Sequence, residues 1–254
     1  GYSQVINNIK SLVNHIENKI NYKFKRLGIG TPGTIDPETG LLKNSNSQCL
    51  NGMPIQKDLA KALDKIILIQ NDANCFALAE TLLGSVKDQY PNAKNVFGII
   101  IGTGVGGGVI IDGKTVYGNQ GIGGEWGHTI VTDNGDDCYC GKRGCVESVI
   151  SGRALQIYYT KISGKKLKLE EIYAKKDSDN HAKETFERLI THFGKGLSNV
   201  INIIDPDIIE ALDVDYETFY DGITTKVWET VGKANLRPFQ EGRKFARKLG
   251  LKSN

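Results

Sequence analysis

The chain has 254 residues, a formal net charge of +3, 39% apolar and 24% charged residues. That length can bury a large core without disulfide staples, and so small a charge gives no reason to expect nucleic acid or an acidic membrane surface as partner. The longest uncharged run, "NVFGIIIGTGVGGGVII", falls short of the ~20 apolar residues of a spanning helix and is broken by glycines. The opening "GYSQVINNIK" has no basic stretch followed by an apolar one, as a leader would. A cytoplasmic protein is expected. The five cysteines agree: the count is odd, and in a reducing compartment a tight cluster is more often a metal site than a disulfide framework.

In chain order, "QVINNIKSLVNHIENKI" places Val5, Ile6, Ile9, Leu12, Val13, Ile16 and Ile20 at helical spacing. Leu27 to Ile29 reads as a strand running into the glycine-proline turn of "GIGTPG". "TIDPETG" is a second turn and "NSNSQCLNGMP" a polar loop. "IQKDLAKALD" reads as a short amphipathic helix and "KIILIQND" as a buried strand. "ANCFALAETLLGS" reads as a helix with Gly84 at its C-cap. The alternation of strand, turn and helix predicts an α/β layout. "NVFGIII" and "VIIDGKTVYG" read as two strands joined by the glycine loop "GTGVGGG". "VESVISGRALQIYYTKISG" is read as one amphipathic helix. "HAKETFERLITHFGKGLSNVINIID" is a long one, with Phe186, Leu189, Ile190, Phe193, Leu197, Val200 and Ile201 on its apolar face. "PDIIEALDV" begins another strand. The basic C-terminal stretch from Lys233 reads as a solvated helix or tail, with a partner surface as the lesser alternative.

The densest chemistry lies in "HTIVTDNGDDCYCGKRGCVE". His128, Cys138, Cys140 and Cys145 supply one imidazole and three thiolates, a set that suits tetrahedral Zn²⁺; four protein ligands make a closed, structural site rather than a hydrolytic one. Gly135, Gly141 and Gly144 let the backbone fold around one ion. Three free thiols crowded in a loop would instead be an oxidation liability. Glu125 and Glu147 bracket the cluster. Paired carboxylates accept hydrogen bonds strongly and suit vicinal hydroxyls, as on a sugar; taken singly, each reads as a surface acid.

"GTGVGGG" resembles a dinucleotide fingerprint, but a strand rather than a helix follows it. A glycine loop between strands can still cradle phosphate through free N–H groups, with Thr103 adding a hydroxyl. Its length, more than a tight hairpin requires, favours that reading. Asn71 and Asp72 stand where a buried strand meets a helix. Asp72 or Asn74 reads either as an N-cap or, for Asp72, as a carboxylate at a cleft rim that takes a proton from a hydroxyl.

"GIGTPG", "NSNSQCLNG", "NDAN", "IGTGVGGG", "GEWGH" and "CYCGKRGCVES" together resemble the ROK family of sugar kinases and sugar-responsive repressors. The resemblance covers roughly residues 25 to 210 and looks most like the bacterial fructokinase and mannokinase branch. It implies the two-lobed actin-like (ribonuclease H-like) ATPase fold with a cleft between the lobes. Residues 1–93 would form a smaller N-terminal lobe and 94–254 a larger lobe carrying the zinc loop. It also implies ATP-dependent phosphorylation of a hexose, fructose or mannose favoured, at the 6-hydroxyl. Asp72 would be the general base. Asn71, Glu125, His128 and Glu147 would grip the sugar, with Asn46 and Asn51 as weaker candidates; His128 would use one ring nitrogen for sugar and the other for zinc. Thr103, Gly104 and Gly106 would face the ATP phosphates, and Mg²⁺ would travel with ATP. The same resemblance suggests a homodimer.

Two parts of the family pattern are not found: an opening strand with an Asp-x-Gly-Gly-Thr-type phosphate loop, so that the N-terminal lobe lacks its first hairpin, and a glycine-rich adenosine loop after "DPDII". The alternative to a kinase is therefore a non-catalytic sugar-binding sensor or pseudokinase, including a repressor-type sugar domain.

Overall fold

The computed structural model describes residues 1–211. The basic stretch from Lys233, and the segment after the "DPDII" strand where the adenosine loop was sought, lie outside them. The chain divides into two compact units. One comprises residues 1–76 and 116–123; the other comprises residues 77–115 and the chain from Gly124 onward.

The first unit begins with α1 (Tyr2–Ile20), then β1 (Arg26–Thr31), the short strands β2 (Thr34–Ile35) and β3 (Leu42–Lys43), α2 (Ile55–Leu63) and β4 (Ile66–Asn71). α3 (Asp72–Leu82) follows β4 with no intervening loop. β1 and β4 pair in parallel from Arg26↔Ile66 to Thr31↔Asn71. Leu42, Leu50, Ile55, Leu59 and Ile67 form the core, with Val5, Ile6 and Ile9 of α1 packed against it. The rest of the α1 periodicity behaves differently. Leu12, Ile16 and Ile20 are exposed, whereas Glu17 on the same helix is 2% exposed.

Glu17 is buried because its carboxylate is fully partnered. It pairs with Lys65 at 2.6 Å and Lys23 at 2.9 Å, and accepts from the Phe24 N–H at 2.9 Å. Lys65 in turn donates to the Phe24 carbonyl at 2.7 Å. The knot fastens the end of α1 to the starts of β1 and β4.

The second unit contains α4 (Ser85–Gln89), β5 (Val96–Ile101), β6 (Val105–Ile111), β7 (Lys114–Thr115), α5 (Val146–Ile150), α6 (Gly152–Ser163), α7 (Leu169–Ala174), α8 (Asn180–Ile204) and β8 (Ile208–Ala211). Its sheet has the order β7-β6-β5-β8. β5 and β6 form an antiparallel hairpin, and β8 joins β5 in parallel. Side chains alternate across a strand. Phe97 and Val109 therefore enter the main core with Trp126, Val149, Ile150 and Leu189, while Val96 and Ile110 enter a smaller cluster with Ala77, Val86 and Ile208. The long helix meets its expectation: Phe186, Leu189, Leu197 and Val200 are buried, with Ile190, Phe193 and Ile201 packed beside them.

Three boundaries differ from the sequence reading. The helix read through 146–164 is two helices, broken at Ser151, whose extended backbone caps α6 through a bond from the Ala154 N–H. Serine's short hydroxyl competes for backbone donors in this way, so a Ser-Gly pair inside an apolar pattern marks a restart. Gly84 does not close α3 in a left-handed cap; it is extended and opens α4. The glycine loop is mostly strand, since Gly106, Gly107 and Gly108 lie in β6 opposite Ile100, Ile99 and Gly98.

The Glu17 carboxyl is held down from 4.5 to about 2, by the bonds from Lys65 and Lys23 first, against the opposing effect of burial. A depressed carboxylate contributes stability that is complete above its unfolded value and lost as pH falls through the folded one. Glu17→Gln should therefore lower Tm near neutral pH and flatten the fall of Tm between about pH 5 and pH 2. Thermal denaturation across that range checks it; parallel curves for the two proteins would contradict it.

Candidate functional site

In the second unit, one short segment lies directly on the sheet. A Cβ on Gly124 would meet the Gly107 carbonyl oxygen at 2.4 Å, and one on Gly127 would meet that of Val105 at 2.1 Å. Between them the Trp126 indole N–H donates to the Gly106 carbonyl at 2.8 Å, and the ring packs edge-on against Phe97 and Phe193. Gly107 is a glycine because any Cβ would strike Trp126 at 2.5 Å. Glycines in "GTGVGGG" and "GGEWGH" are thus two sides of one close approach, and the loop is shorter than the sequence suggested. Only Gly102, Thr103 and Gly104 form the turn between β5 and β6.

The approach fixes Glu125 and His128 on either side of Trp126. His128 has its Nδ1 3.4 Å from the Cys138 Sγ and its Nε2 3.0 Å from the Tyr139 hydroxyl. Glu125 Oε2 lies 3.8 Å from the same Nε2. Burial lowers the imidazole pKa, opposed by the Glu147 charge, and Lys142 lowers it further.

The ligand atoms of His128, Cys138, Cys140 and Cys145 all lie within 4.8 Å of one another, with Cys140 and Cys145 sulfurs 3.6 Å apart. Tetrahedral Zn–S bonds of about 2.3 Å place two sulfurs roughly 3.8 Å apart, so the set fits one such ion. The surrounding backbone is closed. Cys138 N–H donates to the Lys142 carbonyl at 2.8 Å and Gly144 N–H to that of Asp136 at 3.0 Å. Gly144 has φ 67°, and a Cβ there would run into the Thr132 carbonyl. Burial pushes the Cys145 thiol up to about 12. A metal ligand must shed that proton, so binding couples metal to proton release.

Cys145 is also the residue before α5, so the last thiol of the cluster sets the start of the helix that carries Glu147. Glu147 Oε2 accepts from the Val105 N–H at 2.9 Å, and a Cβ on Gly104 would stand 2.6 Å from that oxygen. The Gly102 carbonyl accepts from Gly152 N–H at 2.8 Å. The hairpin turn holding Thr103 and Gly104 is therefore gripped by Glu147 and by the start of α6. Thr103 is exposed, while Gly106 is paired within β6.

In the first unit, Asp72 opens α3 and is exposed; its Oδ1 accepts from the adjoining Ala73 N–H at 2.8 Å. The N-cap expected of Asp72 or Asn74 is supplied instead by Asn71, whose Oδ1 accepts from the Asn74 N–H at 3.1 Å. Asn71 Nδ2 donates to the Gly33 carbonyl at 3.3 Å. Gly33 has φ 81° and lies against the Lys43 carbonyl and the Ser45 amide. Asn51 holds the same loop, exchanging bonds with Ser45 N–H and carbonyl, each at 2.8 Å. Asn46 is exposed on it. The motifs "TPG", "NSNSQCLNG" and "NDAN" thus meet in one place. Tyr139 is the residue that sequence reasoning passed over; its position between two ligand cysteines was the available signal.

A mixed α/β molecule with a parallel-paired helix start, a glycine hairpin and a closed metal-type loop defines a class, and comparison places the chain in it. Residues 2–213 match the model of the ROK family. The chain belongs to the ROK family. It is 34% identical over 219 residues to an N-acetyl-D-glucosamine kinase of Salmonella paratyphi B, covering 82% of this chain and 71% of that one. It is 37% identical over 194 residues to the N-acetyl-D-glucosamine kinase of Escherichia coli O139:H28, covering 72% of this chain and 63% of the relative. These relatives do not specify the fructokinase and mannokinase branch. Among solved structures, a ROK hexokinase from Thermus thermophilus superimposes with TM-score 0.75 at 25% identity, over 96% of this chain and 77% of the other. A ROK glucokinase from Streptomyces griseus, solved with glucose and AMPPNP, gives TM-score 0.75 at 24% identity, over 93% and 80%. The expected actin-like ATPase fold and the expected enzyme class, sugar kinase, are those of these neighbours. Among the described residues no helix is long and apolar enough to cross a membrane.

Gly127→Ala should cost about 1–3 kcal/mol, because its Cβ would meet backbone that cannot turn aside. Gly28→Ala, with nothing within 4 Å of the added atom, should leave Tm nearly unmoved. Differential scanning calorimetry of the pair decides it; equal shifts would remove the close-approach argument.

Proposed function

We propose that this chain transfers the γ-phosphoryl group of ATP to the 6-hydroxyl of a hexose, with N-acetyl-D-glucosamine the first candidate. The observation that carries this reading is the arrangement around His128: one ring nitrogen faces three thiols and the other faces outward beside Glu125. The names of the curated relatives support the amino sugar. Fructose or mannose is the second candidate, favoured by the motif "NSNSQCLNG".

Asp72, exposed where β4 meets α3, accepts the proton of the attacking hydroxyl. Glu125, Glu147 and His128 Nε2 bind ring hydroxyls, the carboxylates accepting and the imidazole donating. Within the first unit, Asn71 and Asn51 keep their own loop in shape, and Asn46 is exposed on it. The hairpin turn with Thr103 and Gly104 meets the phosphates, with Gly106 backing it from β6. Phosphoryl transfer depends mostly on positioning and charge stabilisation, and Mg²⁺ arriving with ATP would supply the latter. His128, Cys138, Cys140 and Cys145 would hold Zn²⁺ in a closed set that fixes the loop.

One observation favours a second reading, a sugar sensor without turnover. Glu147 already occupies the Val105 amide and places a carboxylate beside the turn that phosphate would approach.

A coupled assay over N-acetyl-D-glucosamine, N-acetylmannosamine, glucose, mannose and fructose separates the readings. The kinase reading expects turnover with at least one sugar, and a loss of roughly 10²–10⁴ in kcat for Asp72→Asn with sugar binding retained. Sugar binding by calorimetry without turnover on any member would establish the sensor. Elemental analysis should find one zinc per chain, and Cys145→Ser should lose it together with several degrees of Tm.

A further inference from the structure

Tyr139 stands between two thiols of the cluster, yet its side chain turns toward the outward side of His128. Its hydroxyl is 3.0 Å from Nε2, and its ring meets the imidazole edge-on, centroids 5.0 Å apart at 87°. The side chain is 58% exposed, so it can swing into water without disturbing a core. Nδ1 faces the Cys138 sulfur. With a metal ion on Nδ1, that nitrogen's lone pair would be taken and the ring hydrogen would lie on Nε2. In that tautomer Nε2–H would donate to the phenol oxygen.

A hydroxyl 3.0 Å from His128 Nε2, with the Glu125 carboxylate 3.8 Å from the same nitrogen, stands where a sugar hydroxyl would on the sugar-site reading. We propose that Tyr139 is a gate on the sugar site: its hydroxyl occupies the outward nitrogen of His128 when sugar is absent and must be displaced for sugar to bind. The inference rests on the reading of His128, Glu125 and Glu147 as the sugar-binding set, and adds to it a residue that tunes affinity. Tyr139 acts by competing for His128 and takes no part in the transfer itself.

Removing only the hydroxyl tests this, because Tyr139→Phe keeps the ring against the imidazole. A net hydrogen bond of ordinary strength corresponds to a factor of about two to ten in a binding constant. The expected result is a two- to tenfold lower Kd by calorimetry, and a matching fall in KM, for N-acetyl-D-glucosamine, mannose or fructose, whichever the wild type binds. A Kd that is unchanged or raised overturns the gate. A merely structural role would show as lost zinc or lowered Tm with Kd unmoved, and this also overturns it. Should the Phe variant lose its metal, the wild type decides: saturating sugar should release Tyr139 and give a tyrosine difference band in the near ultraviolet, and no band overturns the proposal. If the wild type binds none of these sugars, the sugar-site reading fails and the gate falls with it. Sugar binding that is indifferent to the Phe change sinks the gate alone.

Discussion

An imidazole has two nitrogens on opposite sides of one rigid ring, and at His128 both are committed. Nδ1 is turned to the thiols of the cysteine loop and Nε2 to the face where Glu125 and Tyr139 stand. The ring cannot rotate to favour one set without abandoning the other. Anything that fixes the loop therefore fixes the face where Glu125 and Tyr139 stand, and the reverse holds too. Glu147 is tied to the same constraint by a second route, since the thiol of Cys145 stands immediately before the helix that carries it. Metal-type chemistry and carboxylate placement are one problem in this unit, solved by one histidine and one helix start.

The strand beneath supplies the platform. Backbone can lie on backbone only where no Cβ intervenes, and Gly107, Gly124 and Gly127 clear that space around Trp126. The indole is the peg. Its N–H is anchored on the Gly106 carbonyl and its ring is buried between Phe97 and Phe193. Glu125 and His128 flank it in sequence, so their backbone positions are inherited from a packed aromatic rather than from a free loop. This is the usual requirement for a precise site, that the groups which recognise be held by groups which merely pack.

Much of this was legible in the residues, and the failures have physical causes. Period-3.6 patterns located α1 and α8 closely; α8 buries its apolar face, whereas α1 packs only part of its own. The cysteine spacing located the cluster, because few other uses bring three thiols and an imidazole together. Glycine was the source of the main error. A glycine run in sequence does not say whether the missing Cβ makes room for a ligand or for another part of the chain, and at Gly107 it is the indole that fills the room. Side chains that cap were also hidden: Asn71 rather than Asp72 satisfies the first turn of α3, and Asp72 is left exposed. Glu17 escaped notice because its partners, Lys23, Lys65 and the Phe24 amide, come from two places in the chain, and a pattern read along one helix sees only an acid on the wrong face.

The composition of the cysteine loop makes the physical case for a metal there. From Thr129 to Gly144 the buried positions are Gly135, Cys138 and Gly144, while Ile130 is exposed and Val131 only half-buried. No apolar cluster lies inside the segment to offset the entropy of ordering it, which is about 1–2 kcal/mol for each backbone residue. Its two isolated bridges, Ile130↔Cys145 and Asp137↔Arg143, and the exposed Arg143–Asp137 ion pair are weak restraints in water. Four ligand atoms on one small cation would supply binding free energy on the scale that the segment lacks, and in such loops that energy is folding energy. A loop ordered from its centre by an ion need not be apolar anywhere else. Its outer positions are thereby left free for a residue such as Tyr139, whose character is set by what it meets on His128 rather than by any demand of a core.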